Sequence, residues 1–317
     1  MGIKKNNKAQ TLFVLGVTSN WVFAAANVII GLNKTTRINY DVRILHNGIS
    51  PDDMNNLLKL RDSIQFERFN FEEANTEKFN RVSMMAFSRF ECFRYLYDYE
   101  YVVWLDADIT LQKSLDEIVG YADESGLAMF KHENTPISVS FSSEVQGFDM
   151  NATCYNDGVF VISKKLKDKS EAISKWLYEA TIKYYHAINS DQAVFNLMLQ
   201  QFQVSPGNLP MMYNSHPGKN DMEAHIIHPW GEGKFWNKFF YESWDMNYNE
   251  WTHLSGCANE EYEFFRSSFL EKKRRKVRVP DSFKTIRRKL IQVRFKNNQK
   301  FIKVFGVYLI GKKNDQL

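Results

Sequence analysis

Within the first 110 residues, short apolar runs alternate with helix-like segments, and this alternation is the strongest constraint on the fold. Leu12–Val17 has the pattern of a buried strand and is closed by the turn cluster Thr18-Ser19-Asn20. Val22–Leu32 reads as an Ala-rich helix that Gly31 brings to its stop. Tyr40–Leu45 is a second strand, ended by Asn47-Gly48, and Ser50-Pro51 caps and opens the next helix. Ile64–Phe69 is a third strand. Ser83–Tyr97 is a helix expected to bury Phe87, Phe90, Phe93 and Tyr97, and Tyr101–Leu105 is a fourth strand running into Asp106-Ala107-Asp108. Such alternation predicts an α/β fold, with a mostly parallel sheet covered by helices on both faces. Ligands of such sheets bind at the carboxyl ends of the strands, where the strand order reverses. The Thr18–Asn20 turn and the aspartate pair both stand at such ends.

Beyond residue 110, Val159–Ile162 reads as a strand, and Glu171–Ile188 and Asp191–Gln201 as helices. Segment 203–256, rich in Gly, Pro, Asn and Trp, reads as loops over a site. At 317 residues, one large domain with a short appendage fits better than two equal domains, and we place the boundary between 1–265 and 266–317. No apolar run approaches the ~20 residues of a membrane-spanning helix. The run Trp21–Ile30 lacks a charged leader and cleavage site, so no secretion signal is expected. Cys92, Cys154 and Cys257 are too few and too scattered for a disulfide framework or a zinc site, and suit neutral thiols in a reducing cytoplasm.

Charge is divided unevenly. Residues 271–317 hold 16 Lys and Arg against Glu271, Asp281 and Asp315, which leaves the body acidic although the whole chain is +4. The tail therefore has a different partner from the body. Its apolar residues, among them Ile286, Leu290, Ile291, Phe295 and Phe301, suggest a basic amphipathic helix on an anionic membrane surface rather than a solvated helix or a nucleic-acid arm.

Two carboxylates at one strand end repel unless a cation lies between them. Mn²⁺ or Mg²⁺ would neutralise Asp106 and Asp108 and bridge to phosphate oxygens. Two other readings compete at this point. One is a turn-capping Asp beside a surface Asp. The other is the Asp106-x-Asp108-x-Thr110 nucleophile motif of haloacid-dehalogenase-type phosphatases, although the strand comes late in the chain and no later acidic pair ends an apolar strand.

From Leu12 to Trp236 the chain resembles glycosyltransferase family 8, especially the bacterial lipopolysaccharide galactosyl- and glucosyltransferases. Six pieces carry the resemblance, in the family's order: Ser19-Asn20-Trp21; Phe87-Ser88-Arg89; Tyr101–Ile109 with its aspartates; Tyr155–Ile162; Ser190-Asp191-Gln192; and His228, Gly231, Lys234 and Trp236 spaced as H-x-x-G-x-x-K-x-W. The resemblance implies a Rossmann-like nucleotide-diphospho-sugar transferase (GT-A) domain with a basic helical C-terminal extension. It implies retaining, α-linkage-forming transfer of a hexose from UDP-glucose or UDP-galactose to a cell-envelope glycan, at the inner face of the plasma membrane. In residue terms, it gives Asp106, Asp108 and His228 as ligands of Mn²⁺ or Mg²⁺, and Thr18, Asn20, Arg89, Asn156, Gly231 and Lys234 as donor-binding residues. Asp191 and Gln192 take the catalytic positions. Gln192 falls beneath the reacting carbon and, as an amide, is a poor nucleophile, which puts front-face attack at least level with a covalent intermediate. Trp230 and Trp236 are expected to pack in a lid. An inactive carbohydrate-binding or scaffold relative remains the alternative from another class. Three departures bear on specificity. Thr18-Ser19 replace the usual acidic turn, Asp157 stands where a small residue is usual, and Lys131-His132-Glu133 occupies the place of an expected acid.

Overall fold

The computed structural model describes residues 9–74, 83–231, 233–277, 291–296, 299–304 and 307–310. The chain divides into two compact units, 1–265 and 266–317. In the first unit the strands in chain order are β1 (Thr11–Val17), β2 (Tyr40–His46), β3 (Ile64–Arg68), β4 (Tyr101–Leu105), β5 (Thr110–Leu111), β6 (Leu127–Pro136), β7 (Thr153–Ser163), β8 (Gly207–Asn208) and β9 (Ile226–Ile227). The helices are α1 (Val22–Thr35), α2 (Pro51–Leu60), α3 (Lys167–Tyr184), α4 (Asp191–Gln201) and α5 (Glu242–His253), followed by α6 (Glu260–Val277), which crosses the division at 265.

Seven strands form one sheet in the order β3-β2-β1-β4-β7-β6-β8. β1 to β4 run parallel, and β7 pairs antiparallel with both β4 and β6. The order reverses between β1 and β4, so the turns after these two strands open onto the same crevice. Along β1, Phe13, Leu15 and Val17 enter one core with α1 and α5, while Leu12 and Val14 enter another with the helix before β4, α3 and α4. The period-2 alternation thus feeds two cores, and the unit is a helix–sheet–helix sandwich.

Three local elements differ from the sequence-based expectations. Gly31 does not stop α1. The helix continues to Thr35, and Gly31 sits inside it because a Cβ there would lie 3.1 Å from Cβ of Leu111. Met84–Tyr97 is a 3₁₀-helix. Its spacing of three puts Phe87, Phe90, Phe93 and Leu96 on one fully buried row, whereas Tyr97, expected inside, is exposed. In the stretch expected to be loops, α5 buries Trp244, Tyr248 and Trp251 against α1. Ser50 does cap α2, its Oγ accepting from the Asp53 N–H at 3.1 Å.

In the second unit, Ile291–Lys296 (β10), Gln299–Val304 (β11) and Val307–Ile310 (β12) form a three-stranded antiparallel sheet. Helix is therefore present in the extension as α6, whereas Ile291–Lys296 and Gln299–Val304 are strands, and residues 278–290 of the expected helix lie outside the described residues. The sequence explains the strands: Ile291-Gln292-Val293-Arg294-Phe295-Lys296 alternates strictly.

Candidate active site

The pairing of two short strands assembles the site. β5 begins two residues after Asp108, and β9 ends one residue before His228. Their antiparallel register, Thr110 with Ile227 and Leu111 with Ile226, brings the aspartates and the histidine together. Ligand atoms from Asp106, Asp108 and His228 all lie within 4.8 Å of one another. His228 Nε2 is 3.4 Å from Asp108 Oδ1 and 3.6 Å from Asp106 Oδ2. Two carboxylates and one imidazole at this separation fit a divalent cation such as Mn²⁺ or Mg²⁺.

A cleft of about 430 Å³ opens beside this group. Thr18, Asn20, Arg89, Asp106, Asp108 and Lys234 line it, with Trp21 and Trp104 as aromatic walls. Thr18 Oγ1 donates to Asn20 Oδ1 at 2.6 Å, and Asn47 Oδ1 accepts from the Ser19 N–H at 3.2 Å, so the turn after β1 is tied at both ends. The Lys234 ammonium donates to Asp108 Oδ2 and, at 3.0 Å, to the Pro229 carbonyl. Burial raises the pKa of Asp108, but His228 and Lys234 outweigh it and hold the carboxyl well below the usual range. Gly231 stands exposed on the loop between His228 and Lys234 with φ +95°, and nothing crowds its Cα. Left-handed backbone, not close approach within the protein, calls for glycine there.

Arg89 is the most heavily engaged side chain of the site. Its Nη2 is 2.9 Å from Asp106 Oδ1, its Nη1 is 2.8 Å from Asp157 Oδ1, and its Nε is 2.9 Å from Asp191 Oδ2. One guanidinium thus faces three carboxylates, and their charge keeps it protonated although burial opposes this. The Asp157 pKa is pushed well above the ordinary carboxylate range, first by burial and then by Asp191 and Asp106. Oδ2 of Asp157 is buried without a hydrogen-bond donor among the described residues, whereas Oδ2 of Asp191 faces Arg89 Nε. Trp104 Nε1 donates to Asp106 Oδ1 at 2.8 Å, fixing that carboxylate from the sheet side.

Asn156 and Gln192 join the Asp106–Asp108–His228 group through hydrogen bonds. Asn156 Nδ2 donates to Gln192 Oε1 at 3.2 Å, and Asn156 Oδ1 accepts from Asn214 Nδ2 at 2.7 Å. Asp191 is the first residue of α4, with Ser190 at the cap position. Trp236 is 3% exposed and packs edge-on to Trp21 and Phe23. Trp230 packs between His132 and His216. The three cysteines are free, and burial pushes Cys154 and Cys257 up to about 11, so both stay neutral thiols.

The structure adds three residues that the sequence-based site lacked: Trp104, Gly158 and Asn214. Trp104 looked like an ordinary strand residue. Gly158 accepts from the Asp106 N–H at 2.9 Å, and its bare Cα faces both His228 and Asp106. Asn214 lies in an irregular stretch with no motif.

Residues 13–239 match glycosyl transferase family 8. The chain belongs to that family, and its class is the glycosyltransferases. No curated protein matches it by sequence. Solved structures share its fold. Galactosyltransferase LgtC, determined in complex with donor and acceptor sugar analogs, aligns with a TM-score of 0.54 at 18% identity, over 80% of this chain and 99% of that one. The bifunctional glycosyltransferase WbbM aligns at 0.57 and 16% over 80% of this chain, which spans only 52% of WbbM. The glycosyltransferase GlyE of Streptococcus pneumoniae aligns at 0.51 and 17% over 84% of this chain and 64% of that one. Family membership sets aside the phosphatase reading of Asp106 and Asp108. Among the described residues, no helix is long and apolar enough to cross a membrane.

Proposed function

We propose that the protein is a retaining, metal-dependent hexosyltransferase that uses UDP-glucose or UDP-galactose and forms an α-linkage to a cell-envelope glycan. One observation carries the reading: Asp106, Asp108, His228 and Lys234 converge at the edge of a cleft at the point where strand order reverses. A bound Mn²⁺ or Mg²⁺, held by Asp106, Asp108 and His228, supplies Lewis-acid stabilisation of the departing diphosphate. Lys234 adds a positive charge beside it. Thr18 and Asn20 receive the nucleoside. Asn156 and Asp191 hold sugar hydroxyls, and Gln192, kept in place by Asn156, lies under the reacting carbon. An amide makes a poor nucleophile, which favours attack from the face the leaving group vacates. In this proposal 1–265 is the catalytic domain, and 266–317 is a basic region that holds it at the anionic inner face of the plasma membrane.

The test is slow UDP-sugar hydrolysis with Mn²⁺ or EDTA, in wild type and Asp108→Ala. We expect UDP release from UDP-glucose or UDP-galactose that needs metal and falls at least 100-fold in the variant, about 2.8 kcal/mol at 1.4 kcal/mol per decade. If no UDP-sugar turns over or binds, the donor assignment is wrong. Glycan binding without turnover would instead favour a scaffold.

A further inference from the structure

A buried chain of side chains leads from the metal group to Gln192, and its polarity can be read from one atom. The Gly158 backbone N–H can only donate, and it lies 3.0 Å from Asn156 Oδ1, so that atom is the amide oxygen. The Asn214 atom 2.7 Å from the same oxygen must then be a donor, and is the amide nitrogen. Asn214 is left with its oxygen toward His228 Nδ1, at 2.8 Å. An amide oxygen only accepts, so Nδ1 carries the hydrogen, and in the neutral imidazole Nε2 keeps its lone pair. Nε2 is the nitrogen that faces Asp106 and Asp108.

The same reasoning runs the other way. With its oxygen committed, Asn156 presents its nitrogen to Gln192 Oε1, at 3.2 Å. The Gln192 nitrogen is thereby turned to Ser140 Oγ at 3.4 Å and Cys154 Sγ at 3.3 Å. Asn214 is fully buried. Its segment is locked to that of His228 by backbone bonds, Ser215 N–H to Ile226 O at 3.1 Å and His228 N–H to Ser215 O at 2.8 Å.

Resting on the reading of Asp106, Asp108 and His228 as a metal site, we infer that Asn214 is the positioning residue that fixes the His228 tautomer for ligation and, through Asn156, the direction of the Gln192 amide. Outer-sphere partners of this kind typically govern metal affinity by 10- to 100-fold. No sequence motif marks Asn214, because its partners are 14 and 58 residues away in the chain.

The tautomer is read directly, by long-range ¹H–¹⁵N correlation of the histidine ring nitrogens in the full chain stripped of metal with EDTA. His228→Asn serves to assign the signals. Wild type is expected to show His228 protonated at Nδ1. Asn214→Ala is expected to lose that single tautomer and to bind Mn²⁺, titrated by electron paramagnetic resonance, about 10- to 100-fold more weakly. Should Asn214→Ala fail to fold, Asn214→Asp carries the test. Its carboxylate still accepts from Nδ1 but offers Asn156 no donor, so the tautomer and Mn²⁺ affinity stay while UDP-sugar turnover falls. Wild-type His228 carrying its hydrogen at Nε2 and none at Nδ1 overturns the inference. So does a folded Asn214→Ala that keeps the tautomer and binds Mn²⁺ within twofold. Failure of the wild type to bind Mn²⁺ refutes the metal reading itself, and is told apart because the tautomer is measured without metal.

Discussion

Gly158→Ala tests the geometry of the metal group most sharply. The backbone at Gly158 is not in the left-handed region, so alanine meets no conformational penalty there. What it lacks is space. A Cβ would lie 2.2 Å from Cε1 of His228 and 2.8 Å from Oδ2 of Asp106. Carbon atoms in contact sit about 3.5 Å apart, so the imidazole must retreat by roughly 1.3 Å. Metal–ligand distances tolerate only about 0.2 Å. His228 is buried at 3% exposure, so a ring rotation that restores the bond has little room. The variant should therefore lose a ligand, and Mn²⁺ affinity should fall at least ~100-fold, the upper end of what an outer-sphere change costs. Overpacking should also lower stability by about 1–3 kcal/mol. Mn²⁺ titration by electron paramagnetic resonance, with urea unfolding in EDTA beside it, separates the two effects. Binding within threefold of wild type would show that His228 is not a ligand in this arrangement and would refute the reasoning.

Asp157→Asn should stabilise the metal-free protein. Burial raises the Asp157 pKa, so the folded state holds that proton to higher pH than the unfolded chain does. The folded state thus binds more protons, and stability falls as pH rises. Urea midpoints in EDTA should be higher for Asp157→Asn than for wild type at pH 7 and converge toward pH 4; an equal or lower midpoint at pH 7 would count against the raised Asp157 pKa. The full chain should cosediment with anionic vesicles at low salt and much less at 0.5 M salt, since each basic residue near the surface contributes about 1 kcal/mol. Equal binding to zwitterionic vesicles would remove the electrostatic reading of the tail.

What the sequence made legible is what chain-local physics encodes. The strand–helix alternation of residues 12–105 specified the parallel sheet, since strands buried on both faces must be short and apolar throughout. Asp106-Ala107-Asp108 could be placed at a strand end because the apolar run before it has strand length. Where expectation and structure part, the signal was ambiguous or absent. The aromatic run 84–97 fits a spacing of three as well as of 3.6, and packing against β1 and β4 selected the tighter winding. The basic tail was read as a helix from its composition, although Ile291–Lys296 alternates with period two. α5 was hidden by its polar and aromatic content, because its apolar face meets α1 rather than the sheet.

Arg89 shows most clearly why a motif residue can be located without its role being settled. As part of Phe87-Ser88-Arg89 it reads as a donor-binding cation, and it does line the cleft. Its Nε–H nevertheless donates to the Ala86 carbonyl, Nη1 to the Asp157 carbonyl and Nη2 to Asp106 Oδ1, with the Asp157 and Asp191 carboxylates also within ion-pair distance. A buried guanidinium so engaged has little left to offer a phosphate, and removing it would leave carboxylates buried without compensation, typically a loss of 3–5 kcal/mol. In our proposal Arg89 therefore acts on the donor at one remove, by holding the metal-site carboxylate Asp106 and the sugar-site carboxylate Asp191 at a fixed separation. Lys234 is then the cation that meets the diphosphate. The unusual Asp157 fits the same logic. An acid where a small residue is usual is tolerable because Arg89 stands against both it and Asp191, so residues 89, 157 and 191 form one polar unit rather than three separate site positions.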